Sequence, residues 1–396
     1  MTDACPVRSR PAAGSALRPR HRDRSVVLIM IGLIMVLVGC TPEVQPPEQT
    51  PGTPGAPSSS PSSSPTPVDP RVKACLVAGP GSLTDLTLNQ VAVAGLNRAR
   101  EDLGVETEQR SVSEAAQYAG AIQAMIDNEC TMIISVGYAL SDATLAAAQA
   151  HPELDFVIVE HEDPVTFPAV RNLKPVVFDR AQASFLAGYL AAATTRTGTV
   201  ATYGANRFPS VIEAMDGFAL GVAHHNAVHD GSVQVLGWSP KTRTGQFLGG
   251  DIPFDDTERA QRMTEDLIAA DADVIYPVAG RSALGTLTAI DATGEPIRAI
   301  WADSNGCETV PNHCGALLTS VERNADTVLY AIIEQATTGD RPDNTTVVGT
   351  LGNGGTSLAE LPESADEVPA AVRAEVAQLR QDLIAGKVRA TPRPSP

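Results

Sequence analysis

From Val72 onward, short apolar runs give way again and again to longer amphipathic or Ala-rich stretches. CLVAG (75–79), TMIISVG (131–137), DFVIVE (155–160), VRNLKPVVF (170–178), GTVATYG (198–204), SVQVLGW (232–238), DVIYPVAG (273–280) and IRAIWAD (297–303) read as strands. Each is short, apolar and flanked by turn-forming residues. Between them, TLNQVAVAGLNRAREDLG (87–104), SDATLAAAQAH (141–151), AQASFLAGYLAAATT (181–195), SVIEAMDGFALGVAHH (210–225), DTERAQRMTEDLIAA (256–270) and RSALGTLTAID (281–291) carry helical spacing. The first helix is expected to end at Gly104, and Ser141 or Asp142 is expected to cap the second. Alternating strand and helix units predict parallel sheets with helices on both faces. Right-handed crossovers gather the strand carboxyl ends on one edge, where ligands bind. The strands are too many for one sheet. The predicted fold is therefore α/β, with two doubly wound parallel-sheet lobes and an interlobe cleft.

The amino-terminal pattern differs. Arg18, Arg20, Arg22 and Arg24 precede VVLIMIGLIMVLVG, an apolar run of about 14 residues, short for a membrane span but suited to a signal-peptide core. The run ends at Leu37-Val38-Gly39-Cys40, which resembles the lipobox of bacterial lipoproteins. That resemblance implies cleavage before Cys40, lipidation of its thiol, and a chain held at the outer face of the cell membrane. Thr41 to Pro70 is rich in Pro, Ser, Thr and Gly. It lacks the apolar content to offset ordering entropy and reads as a disordered, extended spacer.

Composition narrows the function. A formal net charge of -17 argues against nucleic-acid binding, which needs a basic face. No Walker loop, GxSxG elbow or HExxH occurs. Beyond Cys5 and Cys40, four cysteines remain, which allow three pairings in an exported protein. Cys75–Cys130 is favoured, because both begin apolar runs that read as neighbouring parallel strands. Cys307–Cys314 would close a short local loop. No CxxC pair supports zinc, and no metal or cofactor is expected.

Seven blocks, TDLTLNQVAVAGLNRAREDLG (84–104), IISVGYALSDATLAAAQAHPELDFVIVE (133–160), ASFLAGYLAA (183–192), DADVIYPVAGRSALG (271–285), AIWADSN (299–305), LLTSVERNAD (317–326) and VVGTLGNGG (347–355), occur in order. Together they resemble the basic membrane protein (Bmp/PnrA-like) family of ABC-transporter substrate-binding lipoproteins. The resemblance implies a type I periplasmic binding protein: two lobes joined by three crossings, which bind a purine nucleoside for an ABC permease. It implies that Asp303 accepts hydrogen bonds from a ribose diol. Asp85 and Asn89 match the family's D-x-x-x-N at a strand-to-helix turn. Asp142 would take the edge of a purine. Gly280 and Arg281 match a small turn beside the ribose, and Arg323 stands where the family usually has Lys. Leu88 replaces the family's first stacking Phe, so stacking falls to Phe247, with Trp238 or Tyr138 as alternatives. Each of these residues also has a plainer use as a cap or as core.

The expected divisions are a signal peptide (1–39), lipidated Cys40 with the linker (40–70), and a first lobe from 71–178 plus 321–345. A second lobe follows from 179–320 plus 346–360, then a C-terminal helix (361–390) and a disordered tail (391–396). Hinge strands are expected near Val177–Arg180, Ile300–Ser304 and Thr319–Arg323. The expected protein is a monomeric importer component and not an enzyme. The alternatives are a receptor of the same fold for a sugar or other small solute, with a possible sensory role, and a nucleoside-processing enzyme. For that last reading, HHNAVHD (224–230) offers histidines only at a helix end.

Overall fold

The computed structural model describes residues 72–161, 170–362 and 368–391. The expected signal peptide, Cys40 and the linker lie outside them. Among the described residues, no helix is long and apolar enough to cross a membrane.

The chain begins with β1 (Lys73–Ala78), α1 (Leu88–Leu103), β2 (Glu106–Ser111), α2 (Tyr118–Asp127), β3 (Met132–Val136), α3 (Ser141–Ala150), β4 (Asp155–Val159) and β5 (Leu173–Phe178). It continues with α4 (Arg180–Thr194), β6 (Thr199–Gly204), α5 (Pro209–His229), β7 (Gln234–Leu236), and a two-stranded ribbon of β8 (Trp238–Ser239) and β9 (Thr244–Gly245). Then come α6 (Thr257–Ala269), β10 (Val274–Val278), α7 (Leu284–Thr293), β11 (Arg298–Asp303), α8 (Gly306–Thr309) and β12 (Leu317–Arg323). The last elements are α9 (Ala325–Thr337), β13 (Val347–Gly349), β14 (Thr356–Leu358) and α10 (Ala370–Ile384).

Two six-stranded sheets form, in the orders β13-β5-β4-β3-β1-β2 and β14-β12-β11-β10-β6-β7. Every pair in them is parallel except β12 with β14. The central strands are buried along their length, which is why they read as continuous apolar runs rather than alternating ones. In each sheet the strand order reverses once, at β1 and at β6. Loops on either side of such a point diverge and leave a crevice.

The two sheets are joined by three chain crossings. β5 leads into α4, β12 into α9, which packs on α1, and β13 into β14. Two expectations are corrected here. Ile300–Ser304 is not a crossing, because β11 and both its neighbours belong to the second sheet. The divisions expected at 320/321 and 345/346 fall later in the chain: Leu317–Arg323 lies wholly in the second sheet, and Val347–Gly349 lies in the first.

Several local features follow the sequence. Gly104 closes α1 in the left-handed conformation, donating its N–H to Arg100 O. α4 is buried from Arg180 to Ala192 except at Gln182, as a sequence apolar on nearly every side requires. Cys75–Cys130 and Cys307–Cys314 are both disulfides, with Cα atoms 6.0 Å and 4.6 Å apart. Other features do not follow. Neither Ser141 nor Asp142 caps α3. A 3-10 turn over Tyr138–Leu140 runs straight into the helix, so no capping position opens there. β2 carries the residues ETEQRS and shows no apolar pattern, because it is an edge strand beside β1. Polar edges of this kind resist pairing with other chains.

Candidate functional site

The crevice lies where the two strand-order reversals face each other. On the first lobe, Gly137 (φ 100) turns the chain after β3 and places Tyr138 at the sheet edge. On the second, Phe208 stands before Pro209, the first residue of α5. The ring centroids of Tyr138 and Phe208 are 4.5 Å apart, so an aromatic contact bridges the lobes. Phe208 in turn stacks on Phe254 at 5.9 Å and 13°. Gly280 (φ 56) lies against this group, since a Cβ there would sit 3.1 Å from Phe254 Cδ1. The stack presents flat apolar faces of the kind that hold planar rings.

A buried charge network lies at the crossings, joined to the start of α5 through Arg180, whose Nη1 donates to Ser210 O at 3.3 Å. Arg180, on the first crossing, donates to Asp303 Oδ1 at 2.6 Å. Arg323, on the second, pairs with Asp303 Oδ2 at 2.7 Å and with Glu160 Oε1 at 3.0 Å. Burial pushes the Asp303 carboxyl up, but the two guanidiniums outweigh it and hold the group below the usual carboxylate range. A carboxylate has about four acceptor sites, so Asp303 keeps capacity for a ligand hydroxyl. Leu86, Glu160 and Asp303 all have positive φ (66°, 61° and 77°). Such backbone costs about 1–3 kcal/mol each and tends to mark ligand clamps.

Glu213, on α5, faces the same network. Burial raises its pKa to about 8, with Asp179 and Glu160 adding to the shift and Arg180 opposing it. A raised folded pKa means the native state binds the proton more tightly than the unfolded chain. Its contribution to stability is therefore complete below the unfolded value of about 4.5 and is lost as pH rises through about 8. Wild type should lose stability relative to Glu213→Gln across that window, at no more than about 1.4 kcal/mol per pH unit. Urea unfolding of both proteins at pH 5, 6.5 and 8 checks this. Parallel pH profiles would contradict it.

Between the lobes opens a cavity of about 290 Å³. Gln90, Val91 and Ala94 of α1 line one side, Asp303, Ser304 and Glu308 the other, and Arg323 its base beside the crossing. Nearby, Ser304 Oγ donates to Leu86 O at 2.6 Å, and Leu86 packs on the second-lobe core, so the lobes touch here too.

The residues singled out in the sequence meet different fates. Asp303 and Arg323 come together at the crossings. Asp85 and Asn89 lie at the start of α1. Asp85 accepts from the amides of Thr87 at 2.9 Å, Gln90 at 3.1 Å and Asn89 at 3.4 Å, the plainer capping role. The Asn89 side chain donates to Ser82 O. Asp142 is exposed on the first turn of α3. Leu88 packs in the first-lobe core. Phe247 lies edge-on to Trp238 at 5.9 Å, under Arg207, and the Trp238 Nε1 donates to Asp216. Arg281 forms an exposed pair with Asp255.

The model of a family described as ABC transporter substrate-binding protein PnrA-like matches residues 72–367. The chain belongs to this family. Among curated relatives, it is 23% identical over 337 residues to the ABC transporter nucleoside-binding protein BmpA of Lactococcus lactis, covering 80% of this chain and 88% of that one. It is 25% identical over 261 residues to basic membrane protein B of Borrelia garinii, covering 64% and 71%. An ABC transporter solute-binding protein from Aeropyrum pernix superposes with a TM-score of 0.69 at 21% identity, covering 82% of this chain and 94% of that one. A second, from Conexibacter woesei, gives 0.64 at 19%, covering 80% and 98%. The fold is that of a type I periplasmic binding protein, and the family is one of substrate-binding proteins rather than enzymes.

In this PnrA-like chain, Arg180, Glu160, Glu213, Phe208 and Phe254 join the candidate site without having been singled out in the sequence. Arg180 closes the Val177–Arg180 segment that was expected to be a hinge, two residues past the end of β5. RFPS (207–210) pairs an aromatic with a helix-starting proline just past a strand end. Both signals were present.

Proposed function

We propose that the chain is the membrane-anchored, monomeric binding component of an ABC importer and captures a purine nucleoside between its lobes. The observation that carries this reading is the tilted Tyr138–Phe208 contact across the cleft, with Phe208 stacked on Phe254, linked to the buried Asp303 through Arg180, which donates to Asp303 Oδ1 and to Ser210 O, two residues from Phe208. A nucleoside pairs a flat base with a diol, and these two features answer those two groups. The relative named for nucleoside binding supports the choice. Asp303 would accept from the ribose, with Arg180 and Arg323 fixing its orientation. Asp85 and Asn89 hold the first-lobe loop in place, and the exposed Asp142 keeps at most a contact with the base edge. The lobes close about the three crossings, and the closed form is what the permease reads. The basic segment, apolar run and lipobox-like LVGC support anchoring through Cys40 at the extracytoplasmic face of the cell membrane.

The test is thermal unfolding of the full chain in mild detergent with inosine, guanosine, adenosine and a sugar panel. Ligand at a hundred times its dissociation constant adds about 2.7 kcal/mol, so a nucleoside should raise the melting temperature by several degrees. The second reading, a sugar receptor, draws on Leu88 in place of an aromatic and on the polar lining of the cavity. A shift with sugars alone would replace the first reading with this one.

A further inference from the structure

The far wall of the cavity is a short excursion of the chain. Asp303 ends β11; Ser304 and Asn305 follow, then α8, then a 3-10 turn over Pro311–Ala316 that returns to β12. This segment supplies Asp303, Ser304, Asn305, Glu308 and Thr309 to the cavity. Through Ser304 it also reaches Leu86 on the opposite lobe.

A helix of four residues is not stable by itself. Three ties hold it. Asn305 caps it, accepting from Cys307 N at 3.1 Å, and Gly306 N donates to Ser320 Oγ at 2.9 Å. The third is covalent: Cys307 within α8 is joined to Cys314 in the return turn. Both these cysteines are partly exposed, whereas Cys75 and Cys130 are buried at 0% and 1%. A soluble reductant therefore meets the local bridge first.

We propose that the Cys307–Cys314 disulfide is a positioning element of the ligand site, fixing α8 so that the Asp303–Thr309 wall and its Ser304 contact to the opposite lobe stay in register. Ligand capture then depends on an oxidising environment. The step is a two-electron reduction. A phosphine reductant breaks the S–S bond and leaves as its oxide with oxygen from water, and each sulfur takes one proton. The proposal rests on the reading that this cavity belongs to the ligand cleft.

The experiment compares the full chain oxidised, the full chain after mild tris(2-carboxyethyl)phosphine treatment, and the Cys307→Ala/Cys314→Ala variant. Two readouts are taken: hydrogen exchange, and affinity for whichever of inosine, guanosine and adenosine gives the thermal shift. The amides of Glu308, Thr309, Val310 and His313, bonded within the excursion, should exchange at least about tenfold faster without the bridge, while those of β6 and β10 stay as they were. Affinity should fall at least about tenfold. Unchanged exchange overturns the proposal, and so does faster exchange with unchanged affinity. If the double variant does not fold, the reduced wild type decides. If no nucleoside binds the oxidised chain, the nucleoside reading fails, and the proposal is then judged by exchange together with affinity for the sugar that does bind.

Discussion

Asp303→Asn should lower the stability of the protein by about 3–5 kcal/mol, read as a fall in the urea midpoint at unchanged slope. The reason is what it leaves behind. Arg180 and Arg323 are 3% and 6% exposed, and Asp303 answers both. An amide cannot accept from two guanidiniums without turning its own N–H groups toward one of them. Among the described residues, Glu160 would then be the remaining ion-pair partner, and it reaches Arg323 but leaves Arg180 without a salt bridge. Asn tolerates the positive φ at this position at least as well as Asp, so backbone strain does not confuse the result. A pH series separates the charge effect from shape. Because the folded pKa of Asp303 is depressed, its contribution is present above the unfolded value of about 3.8 and is lost as pH falls through the lower folded value. Wild type and variant should therefore converge in acid. A uniform offset down to pH 2 would mean that packing, not pairing, carries the loss. Under the nucleoside reading, affinity should also fall by more than about tenfold. A stability loss with unchanged affinity would leave Asp303 as a crossing lock alone.

How much of this was legible follows from which residues bury apolar surface. The inner strands were readable because both of their faces are covered, as in MIISV and DFVIV. β2 was not, since ETEQRS holds its place through backbone pairing to β1, and backbone pairing leaves no side-chain signature. The Cys75–Cys130 pairing was readable from two neighbouring apolar runs. Asp303 and Arg323 were found through family resemblance, and their convergence depends on a strand end and a crossing that lie together in space. Arg180 reaches the same carboxylate across a sequence separation of 123. No local pattern marks such a pair. The aromatic bridge was legible at Tyr138 alone, one of the alternatives to Phe247: Tyr138, Phe208 and Phe254 sit in three separate connections between elements, and the folding of the two sheets brings them into contact. Phe247, the residue favoured from sequence, lies close in number to Phe254 but packs on Trp238.

Gly221→Ala should be among the most damaging single-methyl changes in the chain. α4 and α5 pack closely along their length, and glycines make this possible. A Cβ on Gly221 would fall 2.0 Å from Phe185 O, one on Gly188 2.0 Å from Phe218 O, and one on Gly217 2.4 Å from Ala181 O. A side chain in the way could rotate aside, but a helix carbonyl can move only if the whole helix moves. The usual cost of overpacking, about 1–3 kcal/mol, is therefore a lower bound. It is partly offset by the gain of about 1 kcal/mol in helix propensity when Gly becomes Ala. Gly120→Ala isolates that gain, since nothing lies within 4 Å of a Cβ at this position on α2, and it should stabilise slightly. Separating α4 from α5 also reaches the site, because α4 begins with Arg180 and α5 carries Glu213. Gly221→Ala should therefore lower both the urea midpoint and ligand affinity, whereas Gly120→Ala should raise the first and leave the second alone. A Gly221→Ala protein within about 1 kcal/mol of wild type would show that the two helices yield to a methyl group, and close α4–α5 contact could no longer be held to fix the geometry of the crossing.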